Sequence, residues 1–385
     1  MLAALSFVHM VVSFPVAPQA DTAWYVSRIG RDTVAVERVV RTPGRIDGIL
    51  VTRTPRTGVM AYWAEIDAAG RIIRAAVEQR MNDGSAPAVA RRNVVGFGQD
   101  SLVLEMVRGD SVTRRVVAAP AGTVPLMHPF WSYGFYDHAM RTAVSRGGDS
   151  VATAFYVIGS PGISNALIVR PSRDSATISW RGVGTLRFHL DPAGHLLGTS
   201  SLETTFKTEA EVDRPDDPIR LAGLFAALDA TGRGLGTLSP RDTARGRVEG
   251  AQIEVDYSRP ARRGRDIFGS VVPWGQVWRA GADAATQITF ERDIIAGGER
   301  IPAGRYTMWI IPRTEGDTLL LNTQTGQWGT QHDAAQDRFR LALRRHSLAE
   351  ALERYRIRFE VTEGGGTMHF EWDTTGFSLP FAIAR

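Results

Sequence analysis

Apolar and polar residues change places at every second position along much of this chain, in short runs broken by glycine, proline and aspartate. Thr33-Val34-Ala35-Val36-Glu37-Arg38-Val39 is one such run and Ile46-Asp47-Gly48-Ile49-Leu50-Val51 another. A period of two sends successive side chains to opposite faces of a half-buried strand, so this patterning specifies sheet rather than helix. Asp67-Ala68-Ala69-Gly70, Arg108-Gly109-Asp110-Ser111 and Asp191-Pro192-Ala193-Gly194 fall between runs and read as hairpin turns, with glycine supplying the positive φ. Residues 21–206 are expected to form an antiparallel meander or open barrel-like sheet.

The pattern is interrupted once. Glu209 to Asp217 is acidic and bears proline, and Asp217-Pro218 has the chemistry of an N-cap followed by a first helical residue. Ile219, Ala222, Phe225 and Leu228 then recur at helical spacing, and Gly232 suits the position after a helix end. One helix is expected at Ile219–Ala230, and Gly232 to Pro240 reads as a linker. Alternation then returns at Ile253, Val255 and Tyr257, at Tyr355, Ile357, Phe359 and Val361, and at Met368, Phe370 and Trp372. Thr307 to Ile311 and Thr318 to Leu321 are continuously apolar, as in central strands. About eight strands in this stretch suit a β-sandwich or jelly-roll-like fold. Ser347-Leu348-Ala349-Glu350 has capping-box spacing, enough for one helical turn at most. The expectation is an all-β protein of two antiparallel β domains, 21–206 and 238–385, joined by a helix and linker at 207–237. A chain of 385 residues is long enough for two cores.

Composition removes several functions. The sequence pI is about 9.7, yet Lys plus Arg number 45 against 41 Asp plus Glu, an excess of only four. Lys207 is the only lysine, and the basic clusters, Arg262-Arg263-Gly264-Arg265 and Arg344-Arg345-His346, are short. A nucleic-acid binder concentrates its charge on one face, so these arginines are read as solvated or paired and no nucleic-acid partner is expected. The absence of cysteine excludes disulfides, thiolate metal sites and a cysteine nucleophile. The stretch Met1 to Ala20 is apolar from Leu2 to Val12 and too short to span a bilayer, so it reads as a secretory signal segment and export to the periplasm or beyond is expected, with a cytoplasmic location the alternative. No other segment is expected to cross a membrane.

One stretch stands apart from this strand pattern. Val255-Asp256-Tyr257-Ser258-Arg259-Pro260 runs into Arg263-Gly264-Arg265-Asp266-Ile267-Phe268-Gly269 and then Val272-Pro273-Trp274-Gly275-Gln276-Val277-Trp278-Arg279-Ala280-Gly281-Ala282-Asp283, ending at Thr286. It reads as a strand followed by a long loop whose backbone is fixed by Pro260, Gly264, Gly269, Pro273, Gly275 and Gly281, and which presents Arg259, Arg265 and Trp278. Long loops inside compact domains either serve function or are packed by their own side chains. These residues closely resemble the signature of the bacterial domain of unknown function 2911 family. The resemblance continues through Ile301-Pro302-Ala303-Gly304-Arg305-Tyr306, Ile311-Pro312, Asn322, Gln327-Trp328-Gly329 and Asp337-Arg338, covering Leu238 to about Ile383; the region before it is not recognised. It implies an exported bacterial β-domain with no assigned activity. Where the family pattern has Asn-Glu this chain has Asp283-Ala284, which disfavours catalysis at that point, and His332 stands where a tyrosine is usual.

The expected ligand-binding face is Trp274, Arg279, Asp283, Thr286, Asn322 and His332. Arg279, with Arg259 and Arg265, has the guanidinium fork that binds a carboxylate or phosphate; the competing role is an ion pair with Asp256, Asp266 or Asp283. Trp274, Trp278, Trp309 and Trp328 suit either a platform for a flat ligand or core anchors, with the core favoured for all but Trp274. Gln331-His332-Asp333 with Asp337 matches no zinc spacing, and no metal or cofactor is expected. His128 and His138 bracket the aromatic run Pro129 to Asp137, which suits a pocket wall or core packing. There is no phosphate loop, no His-Glu-x-x-His, no nucleophile elbow, and Gly232-x-Gly234-x-Gly236 lacks the context of a dinucleotide site. The primary expectation is a binding module for a small molecule, glycan or envelope partner. An enzyme using Asp283, His332 and Asp333 or Asp337 in acid–base chemistry and a structural envelope protein are the alternatives.

Overall fold

A computed structural model describes residues 20–81, 89–181, 183–213 and 216–385. The apolar segment read as a signal, apart from Ala20, lies outside these residues. The protein is all-β, with two α-helices among the described residues.

The alternating runs of the first half become strands at the positions the pattern indicates. β1 (Asp21–Ile29), β2 (Asp32–Thr42), β3 (Arg45–Thr52), β4 (Gly58–Ile66), β5 (Ile72–Met81), β6 (Val89–Phe97), β7 (Ser101–Arg108) and β8 (Ser111–Ala118) form an antiparallel meander. After β9 (Val124–Leu126) and helix α1 (Gly134–Arg146), strands β10 (Ser150–Val157), β11 (Ser164–Ser172), β12 (Ser175–Trp180), β13 (Gly184–Leu190), β14 (Leu196–Thr204) and β15 (Glu209–Val212) form a second meander. The two join because β1 pairs with β15, Tyr25 opposite Val212, as well as with β2. The result is one open fifteen-stranded sheet with β8 and β9 at its edges.

Helix α1 was not foreseen. The aromatic run reads as a pocket wall or core packing, although Tyr136, Ala139, Met140 and Ala143 follow the helical period and are buried in the core of the sheet. The helix lacks a side-chain cap of its own. Glu37, buried on β2, supplies one from far away in sequence: its Oε2 accepts from the backbone N–H of Tyr133 at 2.6 Å and of Gly134 at 3.2 Å. Its Oε1 accepts from Tyr62 and Ser132, both at 2.7 Å. A carboxylate facing the positive end of a helix satisfies donors that would otherwise be buried unpaired. Asp137 anchors the next turn by pairing with Arg41 at 3.0 Å and accepting from the N–H of Leu196 at 2.7 Å.

Helix α2 (Pro218–Ala230) forms as its cap chemistry requires, with Asp217 Oδ1 accepting from the N–H of Ile219 and Arg220. The chain then enters a β-sandwich. Its six-stranded sheet has the order β16 (Arg241–Val248), β17 (Ala251–Ser258), β18 (Gln287–Phe290), β21 (Gly304–Ile311), β22 (Thr318–Asn322), β23 (Asp337–Ala342). The four-stranded sheet has the order β20 (Glu299–Ile301), β19 (Ile294–Ala296), β25 (Gly365–Ile383), β24 (Arg344–Thr362). Val255, Tyr257, Ile288, Met308 and Leu319 of one sheet share a core with Tyr355, Ile357, Met368, Phe370 and Trp372 of the other. The residues with capping-box spacing, Ser347 to Glu350, are strand within β24 and not a helical turn; the register with β25 shifts there instead. Pairing with a long neighbouring strand overrides a local capping signal.

Candidate functional site

The loop between β17 and β18 is packed down by its own backbone. Trp278 and Ile310 bridge in both directions at 2.7 and 2.8 Å, and Gly329 N–H donates to the carbonyl of Asp283 at 2.9 Å. Three residues in it that are not glycine hold positive φ: Arg263 at 54°, Ala280 at 48° and Asp283 at 58°. Each such residue costs on the order of 1 kcal/mol, and such strain gathers at functional positions. Asp283 therefore sits in a left-handed turn rather than in a strand. Ala284, in the place of the family's glutamate, bridges to Trp328.

This loop, the linker and the end of β14 enclose a cleft of about 720 Å³ between the sandwich and the large sheet. Arg263 ties the two walls together by pairing with Asp32, while its carbonyl accepts from the N–H of Arg31 at 3.0 Å. Of the expected face, Arg279, Asp283 and His332 line the cleft together. Thr286 and Asn322 are instead fully buried: Thr286 Oγ1 donates to the carbonyl of Ala280 at 2.8 Å, and Asn322 Nδ2 donates to Asp337 at 2.9 Å. Their polar side chains hold the backbone rather than meet a ligand. Trp274 is 40% exposed, packed under Arg345 at 4.8 Å, and lies outside the cleft lining. Trp278 and Trp309 are buried core anchors that also reach the cleft wall, and Trp328 is exposed.

Lys207 and Phe206, absent from the face expected from the sequence, reach the cleft from the large sheet together with Trp131, from the aromatic run read as pocket wall or core. Arg265, expected either to bind an anion with Arg279 or to form an ion pair, lines it from the loop. Arg259 pairs with Asp242 at 3.1 Å and takes no part in the lining. Neither Arg265 nor Arg279 forms any of the expected ion pairs; Asp256 pairs with Arg241 instead. Arg265 donates to the carbonyls of Ala261 and Arg262, and Arg279 reaches only the carbonyl of Gly329, at 3.5 Å. Lys207 donates to the carbonyl of Leu202. Among the described residues none of the three cations forms an ion pair. Burial, then the charges of Arg279 and Arg265, push the Lys207 amine down to about 8. Burial, then neighbouring Arg263, pushes Arg265 down to about 10; burial alone, against the opposing pull of Asp283, does the same for Arg279. Asp283 is raised by burial in spite of Arg279 and Arg241. The unpartnered buried polar atoms of the lining point the same way, since Arg279 Nε and the indole nitrogens of Trp131, Trp309 and Trp372 are all donors. Such a wall suits an acceptor-rich ligand bearing negative charge.

His332 is held in the lining by Asp337, Nε2 to Oδ1 at 2.8 Å, with its ring 4.9 Å from that of Trp309. Asp333 is elsewhere, capping a short 3-10 turn at Ala334–Gln336. A smaller cavity of about 260 Å³ beside α1 includes His138, and His128 is stacked on Trp131 at 4.1 Å. Outside the cleft lining, ligand atoms of His346, His369 and Glu371 gather within 4.8 Å of one another. Both oxygens of Glu371 are occupied by Arg356 and Arg358, whose charges oppose a cation there.

Among the described residues no helix is long and apolar enough to cross a membrane. Among solved structures, a family protein of unknown function (DUF1089) from Pseudomonas aeruginosa is similar at 11% identity and TM-score 0.33, over 44% of this chain and 90% of its own. A β-barrel-like protein of domain of unknown function DUF1849 from Brucella abortus is similar at 9% identity and TM-score 0.36, over 52% of this chain and 97% of its own. No curated protein matches the chain. No family match covers the large sheet, whereas residues 239–381, the sandwich and its loop, match the family described as Protein of unknown function (DUF2911).

Proposed function

We propose that the protein is a binding module whose cleft takes a small organic anion with an aromatic or apolar body. The observation that carries this reading is the meeting of Lys207, Arg265 and Arg279 in one cleft with no ion-pair partner among the described residues. Three like charges brought together at the expense of burial find their compensation in a ligand carboxylate or phosphate. Trp131, Phe206 and Trp278 supply the surface for its apolar part. Export, expected from the apolar Leu2 to Val12, belongs to the same proposal and places the ligand outside the cytoplasm.

The test is thermal unfolding with phenyllactate against its uncharged counterpart, 3-phenylpropane-1,2-diol. Stabilisation of about 2.7 kcal/mol is expected at a hundredfold excess over Kd. It is lost in Arg279→Ala and not produced by the diol. Equal responses to both compounds, or an undiminished response in Arg279→Ala, sink the reading.

A second reading, acid–base catalysis, is favoured by the His332–Asp337 pair at the cleft wall, since a carboxylate fixing one ring nitrogen leaves the other to exchange protons with a bound molecule. It requires that His332→Ala abolish turnover of an anionic ester while phenyllactate still binds.

A further inference from the structure

Of the 45 lysines and arginines in the chain all but Lys207 are arginine, and that exception lines the cleft. Charge alone would be served as well by the residue used everywhere else. What only lysine offers is an amine that loses its proton and attacks carbon. We propose that Lys207 is a nucleophile that condenses with the carbonyl of an anionic aldehyde or ketone, such as a 2-oxo acid, held in this cleft.

This inference rests on the anion-binding reading and names its ligand class. Lys207 occupies the turn after β14 with φ of 53°, a left-handed position that fixes where its side chain leaves the backbone. Its hydrogen-bond acceptor is a neutral carbonyl, that of Leu202, and among the described residues no carboxylate pairs with it. The charged groups that act on it are Arg279 and Arg265, which favour the neutral amine, and Glu203, which opposes them but is itself engaged by Arg187 at 2.7 Å. A fall from the ordinary 10.5 to about 8 raises the neutral fraction at pH 7 by on the order of 10²-fold. The same two arginines are the groups that would hold the ligand's carboxylate, placing its carbonyl next to the amine.

In the reaction the amine lone pair forms the C–N bond and the carbonyl π pair moves to oxygen. One N–H proton passes to that oxygen, giving a carbinolamine. The C–O bond then breaks, the second N–H proton leaves with the oxygen as water, and a C=N bond remains. No oxidant or reductant is needed.

The experiment incubates the whole chain with phenylpyruvate, traps any imine with borohydride, and locates the adduct by intact mass and peptide mapping. With one lysine, the only other primary amine is the chain's α-amino group, whose ordinary basicity is similar to that given for Lys207. Labelling of Lys207 at least about tenfold faster than of the α-amino group, suppressed by excess phenyllactate, therefore reports placement by the site. Lys207→Arg is expected to keep its fold, checked by its unfolding temperature without ligand, while losing the adduct. Lys207 left unmodified, or modified no faster than the α-amino group, overturns the proposal. In that case phenyllactate stabilisation in the same samples separates the outcomes: if it persists, anion binding stands without the covalent step, and if it is absent, both readings fall.

Discussion

Arg263, from the loop after β17, forms an ion pair with Asp32 at the start of β2, joining the sandwich to the large sheet. The two ends are unequally buried: the Arg263 side chain is 6% exposed and that of Asp32 is 28% exposed. Removing the partner of the more buried charge is the more harmful change, because the group left behind cannot find water. Asp32→Ala is expected to destabilise by about 3 kcal/mol and Arg263→Met by about 1 kcal/mol. Urea denaturation of both variants checks this, and a reversed order would refute it.

Gly329 lies where no side chain fits. A Cβ there would be 1.9 Å from Arg279 Cδ and 2.4 Å from the Asp283 carbonyl oxygen. Gly329→Ala is expected to cost about 1–3 kcal/mol through overpacking and to displace the Arg279 guanidinium. Phenyllactate stabilisation should then fall several-fold. Unchanged binding would show that the contact does not position Arg279.

His128 makes stability depend on pH. Burial beside Trp131 pushes its imidazole down from 6.5 to about 4, and its Nδ1 accepts from the N–H of Phe130 at 3.2 Å. The unfolded chain thus binds the proton more readily than the folded one. Its contribution is present above the ordinary value and is lost as pH falls toward 4, on the order of 2 kcal/mol. In His128→Gln the difference in denaturation free energy between about pH 7 and pH 4.5 should shrink by that amount. An unchanged pH profile would rule out this linkage.

Asp217 provides a simple test of the sequence reading. Asp217→Ala removes the one oxygen that accepts both N–H groups at the start of α2 and is expected to destabilise by about 1 kcal/mol. Denaturant midpoints measure it; no change would mean that water replaces the cap.

The strands, their hairpins and α2 were legible because each rests on local chemistry: a period of two, a turn of Asp with Gly three residues on, an Asp-Pro cap. Helix α1 was not, since its cap is Glu37, almost a hundred residues earlier. The Ser347 to Glu350 signal misled because β25 pairs across it. In the cleft, Arg279 and Asp283 were legible from a rigid loop bearing polar groups, and His332 from the family pattern. Thr286 and Asn322 belong to that same pattern but hold backbone from within, Thr286 in the loop and Asn322 in the segment after β22, a distinction that depends on burial and not on residue type. Lys207 was conspicuous as a lone lysine, yet its meeting with Arg265 and Arg279 depends on how the sandwich sits against the large sheet.

The pairing of β1 with β15 also governs the order in which the chain can fold during synthesis. β1, the first strand among the described residues, has only one neighbour, β2, until nearly the whole of the large sheet has followed. In that interval β1 is an open edge carrying Trp24 and Tyr25, able to accept a strand from another chain. Closing it is a long-range event, slow by loop-closure entropy, so the nascent protein is most vulnerable to aggregation just before residues 209–212 emerge. A chaperone that shields strand edges would be most useful to it then.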